Sequence, residues 1–265
     1  MKKIQCMFKL MSFLLIILTM SSSCQMLQSK DFTDNATVVK GVQSPPIPSF
    51  TWIDDDGVQL AFDRLLPIAR ELDVPLTFAI ITSRFGQEKY ISKEAVIELY
   101  NEGFDIVDHG YAHDKSHRPT QMTKNELETD LTKTKEIWEA MGIPSNYHVI
   151  PFGANTPTTE KIYRKFFDCA IMTSITKNNP EEGVGAPNFQ PINRLRLERV
   201  SYKRSTLGYI KKQIDDAYDN NGWLIIYSHM SVDPYDENKI KEILSYAKEK
   251  LDFVSVREGV ERFSE

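Results

Sequence analysis

The sequence predicts an α/β protein, a parallel sheet of about seven short strands with helices outside it. Three observations predict this. From about residue 49 onward, runs rich in β-branched and aromatic residues alternate with helical stretches. Helix start and stop signals separate those runs. The residues with the most chemical potential, Asp54-Asp55-Asp56, His109 and His229, each directly follow a predicted strand. In parallel sheets, open or closed into a barrel, functional groups gather at the carboxyl ends of the strands.

The elements run in order along the chain. Ser49 to Ile53 is a strand that runs into acids, and residues 58–72 form a helix disturbed at Pro67. Val74 to Ile81 is a second strand. Residues 92–102 are helical, with Ser92 as cap and Gly103 as stop, and Phe104 to Val107 is a third strand ending at Asp108-His109. Thr123-Lys124-Asn125-Glu126 is a capping box that opens a helix to about Met141, with Gly142 at its end. Tyr147 to Ile150 and Asp168 to Thr173 are strands on either side of a helix at 157–167. Helices at 205–220 and 236–250 flank a strand from Trp223 to Tyr227, and Phe253 to Val256 is the last strand.

The N-terminus has a different character. Met1-Lys2-Lys3 is basic, Phe13 to Leu18 is the centre of a short apolar run, and Ser21-Ser22-Ser23 precede Cys24. This is the order of a secretory signal, with an apolar run too short for a comfortable membrane span. We expect a signal peptide over 1–23, a lipidated Cys24 opening a tether over 24–47, and a single domain over 48–265. The alternative is an ordinary signal peptide with an incidental cysteine. The expected location is a bacterial cell envelope, on the periplasmic side or the cell surface, with the membrane as a partner through the lipid. Of the three cysteines only Cys169 would remain unmodified in the mature domain, so no intramolecular disulfide can form.

Composition narrows the function. A 41% hydrophobic and 26% charged chain is ordinary for a globular protein. A net charge of −5 offers no counterion-release affinity for nucleic acid, so none is expected as a partner. Three adjacent carboxylates at a partly buried strand end repel one another, and a cation would relieve that cost; a solvated acidic turn before a helix is the competing explanation. An EF-hand loop is excluded because Trp52 falls at its first ligand position. His109 and His113 stand four apart, which on a helical turn puts two imidazoles on one face, although a lone pair of surface histidines has the same spacing. Two histidines and one carboxylate leave coordination positions open, the pattern of catalytic metals. His229 follows an apolar strand, which suits either a general acid or base or a satisfied core histidine.

Together these residues resemble the polysaccharide deacetylases, carbohydrate esterase family 4, also called the NodB-homology domain. Asp55-Asp56-Gly57 matches the family's first motif, His109 to His113 its second with Gly110 in place of a hydroxyl residue, and Ile226 to His229 its fifth. Val74 to Phe78 and Glu102 to Ile106 fit the surrounding pattern. In the third motif Val149-Ile150-Pro151-Phe152-Gly153 puts Val149 where the family has an arginine that orients the catalytic aspartate. The fourth motif has no counterpart near residues 168–200, and Asp54 adds an acid that leaves the register of the three open.

The resemblance implies a distorted (β/α) barrel that hydrolyses acetyl groups, N- or O-linked, from a carbohydrate polymer or oligosaccharide. It implies a divalent metal, most often zinc in such proteins, held by Asp56, His109 and His113. Asp55 would be the base, His229 the acid, and the backbone N–H of Phe152 an oxyanion donor. Trp52, Tyr111 and Phe152 could stack on a sugar ring or be core. The departures leave two further readings: a weakened member that binds glycan, and another metal-dependent amidohydrolase or peptidase on a related barrel. A monomer is expected.

Overall fold

A computed structural model describes residues 44–172 and 181–264. The expected signal peptide, Cys24 and most of the tether lie outside the described residues. Eight strands are present: β1 (Ser49–Asp54), β2 (Thr77–Ile80), β3 (Asp105–Asp108), β4 (Tyr147–Val149), β5 (Cys169–Ile171), β6 (Val200–Ser201), β7 (Trp223–Ser228) and β8 (Asp252–Phe253). Seven helices accompany them: α1 (Gln59–Leu72), α2 (Lys93–Glu102), α3 (Lys124–Met141), α4 (Pro157–Phe166), α5 (Leu207–Asp219), α6 (Glu237–Lys248) and α7 (Val256–Phe263). Every strand pairing is parallel, in the order β5-β4-β3-β2-β1-β7-β6, with β8 beside the start of β1. The sheet curls as a half-barrel. A single parallel bridge between Ile171 and Leu197, with Met172 N–H donating to Leu197 O at 3.0 Å, draws its two ends together. The expected distorted (β/α) barrel, in one domain, is the architecture found.

Local chemistry explains the boundaries. Ser92 and Thr123 cap α2 and α3 as expected, the latter in a complete capping box, and Gly103 and Gly142 end those helices in the left-handed conformation. Helix α1 continues through Pro67 instead of breaking. One backbone hydrogen bond is lost there, but Leu65, Ile68 and Ala69 are buried on either side, and packing of that face holds the helix. Strand β2 begins three residues later than expected: Asp73 ends α1 at φ +51°, Val74 N–H still bonds Ala69 O, and Pro75 has no N–H to donate. Two elements were not expected. Strand β6 is only two residues long. Helix α7 begins at Val256, expected to end a strand, because Ser255 and Glu258 form a further capping box.

Alternation along the strands divides the core. Phe50, Trp52, Phe78, Leu224 and Ile226 face the helices α1, α2, α5 and α6. Ile53, Ala79, Val107, Val149, Ile171, Leu197 and Ile225 belong to a second cluster, which α7 joins with Val256, Val260 and Phe263. Trp223, the first residue of β7, stacks on Phe263 at 5.9 Å between centroids. Gly259 allows this approach, since a Cβ there would meet the Trp223 ring at 2.2 Å. Replacing Gly259 by Ala is therefore expected to destabilise the domain by about 1–3 kcal/mol through overpacking, read as a lower midpoint in urea unfolding.

Candidate active site

The acids after β1 separate by the same alternation. Asp54 shares the helix-facing side with Trp52 and is buried. Its carboxyl accepts from Ser228 Oγ at 2.6 Å and from Met230 N–H at 2.8 Å, while Trp52 Nε1–H donates to Ser228 Oγ at 2.9 Å. Burial raises its pKa well above the usual carboxylate range, against the lowering effect of Ser228 and Met230. Asp55 continues the β1–β7 pairing through its N–H to Ser228 O at 2.9 Å and faces the opposite way, with Ile53. Asp56 leaves the strand at φ +84°, followed by Gly57 at +72°. A Cβ on Gly57 would lie 3.0 Å from Ile80 Cδ1.

His109 follows β3 and His113 lies four residues on, but the residues between them form no helical turn. The chain turns instead through Gly110 at φ +81°, where a Cβ would lie 3.1 Å from Pro151. Close approach of Pro151 therefore accounts for glycine where the family has a hydroxyl residue. The loop brings the two imidazoles together, 4.9 Å between centroids. His109 Nδ1–H donates to Val149 O at 2.8 Å, which leaves Nε2 as the lone-pair nitrogen. Phe152 sits in the left-handed region at φ +60°, its ring 4.0 Å from that of His113 and its N–H directed at His113 Nε2, 3.3 Å away. Its N–H thus points into the cluster where an oxyanion donor was expected.

Asp56, His109 and His113 each offer a ligand atom, and these atoms lie within 4.8 Å of one another. Asp56 Oδ1 and His109 Nε2, 3.5 Å apart, are buried and have no hydrogen-bond partner among the described residues. Two orphaned acceptors side by side are costly without a cation, and two imidazoles with one carboxylate suit zinc or a similar divalent ion. Protonation states agree with this. Burial, then repulsion by His109, lowers His113 to about 4, so its ring is neutral near pH 7. Burial would raise Asp56, but the His109 ring and the charges of His229 and His113 outweigh it and hold the carboxyl at about 2. Burial lowers His109, yet Asp56 and Asp55 outweigh that and raise it, so a cation would displace a proton there.

Beside this cluster stands a group that sequence reasoning missed. Arg199, fully buried just before β6, donates through Nη1 to both oxygens of Asp55 at 2.8 and 3.0 Å. Its Nε–H donates to Met172 O at 3.0 Å, and its guanidinium lies over the Tyr227 ring at 4.4 Å. Arg199 shares a strand face with Leu197, and Tyr227 with Ile225, so both face the barrel interior with Asp55. Burial pushes Asp55 upward, but the Arg199 charge, with His109 and His229, outweighs it and leaves the carboxyl below its ordinary range. His229 Nε2 is 3.8 Å from the other side of Asp55, and Asp233 holds the His229 N–H at 2.8 Å. Trp52 is core, whereas Tyr111 and Phe152 are half-buried; Cys169 is a buried free thiol. Residues 173–180, part of the stretch searched for the fourth motif, lie outside the described residues.

Comparison with known proteins agrees with this architecture. The family model described as Polysaccharide deacetylase matches residues 46–166, a segment that carries Asp55, Asp56, His109, His113 and Phe152 but neither Arg199 nor His229. The chain belongs to the polysaccharide deacetylase family. Its fold is similar to that of a carbohydrate esterase family 4 pseudoenzyme from Bacillus anthracis, 13% identical, TM-score 0.56, covering 82% of this chain and 66% of that one. It is also similar to the peptidoglycan deacetylase PdaC from Bacillus subtilis, 15% identical, TM-score 0.54, covering 83% and 93%. A polysaccharide deacetylase from Bacillus cereus, 20% identical with TM-score 0.48, is matched over 62% of this chain, which spans only 49% of that protein. No curated protein matches the chain.

The geometry sets the register of the acids apart in a way that can be measured. Asp56→Asn is expected to weaken zinc uptake by at least about tenfold, whereas Asp54→Asn leaves it within about twofold, by titration of the metal-free protein. Equal losses in both variants would place Asp54 among the ligands.

Proposed function

We propose that this protein is a divalent-metal-dependent hydrolase that removes acetyl groups from a carbohydrate polymer, with Asp56, His109 and His113 as the ligands. The observation that carries the reading is the convergence of those three ligand atoms within 4.8 Å, beside a buried Asp55–Arg199 pair and His229. A divalent ion bound there lowers the pKa of a water from ~15.7 towards ~7 and draws charge from the acetyl carbonyl oxygen.

The chain's own residues supply the rest. Asp55 accepts a proton from the water that attacks the acetyl carbon. Arg199 holds both oxygens of that carboxylate, the part for which residue 149 has only an isopropyl group. The N–H of Phe152 donates to the oxygen as it gains negative charge. His229 gives a proton to the departing nitrogen or oxygen as its bond to the acetyl carbon breaks, leaving acetate and a free amine or hydroxyl. Amine release depends most on this proton, because an amide anion is a very poor leaving group.

Val149 favours a second reading, in which the protein binds glycan with little turnover; Arg199 weighs against it. Metal analysis and acetate release from acetylated chitooligosaccharides or acetylxylan decide between them. A protein that takes up no divalent metal would refute both. In the active form, Asp55→Asn is expected to retain metal and lose about 10²–10⁴-fold in acetate release. Arg199→Met in a folded variant is expected to lower kcat with KM little changed; equal activity would remove Arg199 from the machinery.

We further read the chain as an exported lipoprotein, on the basic, apolar and small-residue order that precedes Cys24. Mass spectrometry of the mature N-terminus is expected to find an acylated Cys24, and an unmodified Cys24 would refute the anchor.

A further inference from the structure

A second polar centre lies behind the His109–His113 loop, and the reaction does not use it. Asp108, the last residue of β3, is fully buried. Its carboxylate accepts from Gly110 N–H at 3.0 Å, Thr134 Oγ1 at 2.5 Å, Trp138 Nε1 at 2.9 Å and His148 Nδ1 at 2.5 Å. The carbonyl of Gly110 accepts from Thr82, through N–H at 3.0 Å and Oγ1 at 3.3 Å. The residue that follows His109 is therefore held from both sides.

His148 stands opposite Asp108 in the β3–β4 register. With Nδ1–H given to Asp108, its Nε2 is an acceptor. That nitrogen has no hydrogen-bond partner among the described residues, and neither does the hydroxyl of Tyr163 on α4. Both side chains are fully buried, with ring centroids 5.1 Å apart. Both line one small cavity, shared with Ala112, Leu131 and Pro151. Its free space for a water-sized sphere is about 10 Å³, the room that one water needs. A buried acceptor and a buried hydroxyl on one such cavity are the partners an internal water takes. The space admits nothing larger, and a lone imidazole nitrogen with a neutral phenol is a poor cation site.

We propose that this cavity holds one ordered water that accepts from the Tyr163 hydroxyl and donates to His148 Nε2, and that the chain Tyr163–water–His148–Asp108 positions the backbone at Gly110. His148 and Tyr163 are thus positioning residues for the loop that carries His109 and His113. The importance of that loop rests on the reading of those histidines as ligands; the water does not.

Both tests use the full-length, metal-free protein. A high-resolution crystal structure is expected to show a water peak ~2.7–3.2 Å from both His148 Nε2 and Tyr163 Oη. No peak, or a direct bond between the two side chains, would overturn the proposal. Tyr163→Phe, which removes only the hydroxyl, is expected to speed exchange of the Gly110 amide about tenfold while the helices keep their protection. Unchanged exchange in the folded variant would remove the positioning role, and the wild-type density keeps the water testable if that variant does not fold. Zinc titration of the wild type reports separately on the ligand reading, so the two can fail independently.

Discussion

Successive residues of an extended strand face opposite sides of the sheet, and this constraint organises the whole site. At the end of β1 it assigns three adjacent carboxylates to three environments. Asp54 turns towards the helices, where Ser228 and Met230 bind a carboxyl whose pKa is raised by burial. Asp55 turns inward to a guanidinium. Asp56 escapes the alternation only because the backbone there is left-handed, and it meets His109. Three negative charges in sequence would be prohibitive in one buried place. Distributed this way, one carboxyl has hydrogen-bond donors and an elevated pKa, one is paired with a cation, and one stands where a cation fits.

The Asp55–Arg199 pair depends on the closing of the sheet. A buried ion pair survives only when its geometry is good and the remaining donors are satisfied. Both conditions hold: Nη1 reaches both carboxylate oxygens, Nε–H finds Met172 O, and the Tyr227 face covers the guanidinium. Met172 and Leu197 are joined by the backbone bond that draws β5 towards the β6 side of the sheet. The same closure that shapes the barrel therefore delivers the arginine.

Local chemistry made most of the fold legible in the sequence. Ser92, Thr123, Gly103 and Gly142 marked helix ends because caps act within a few residues. Helix α7 had the same kind of signal, Ser255 with Glu258, masked by the apolar residues beside it. Pro67 misled because tertiary packing outweighed one lost backbone bond. The gathering of acids and histidines at strand ends was legible, but their side-chain directions were not. The spacing of His109 and His113 suggested a helical turn, whereas a left-handed Gly110 brings them together. Arg199 gave no signal at all. It belongs to a two-residue strand, and its partner lies 144 positions away along the chain.

Val149 then has a physical explanation. Its side chain lies in the interior cluster with Val107, Ile171 and Leu197, a place fully closed to solvent. A second guanidinium beside Arg199 would add a buried positive charge with no carboxylate left to pair, since Asp55 already gives both oxygens to Arg199. An apolar residue at 149 and an arginine at 199 are therefore two halves of one arrangement. A site whose base needs one cation can draw it from either side of the barrel mouth, provided the opposite side stays neutral. What a motif records as a missing residue is, in this fold, a change in which strand supplies the charge.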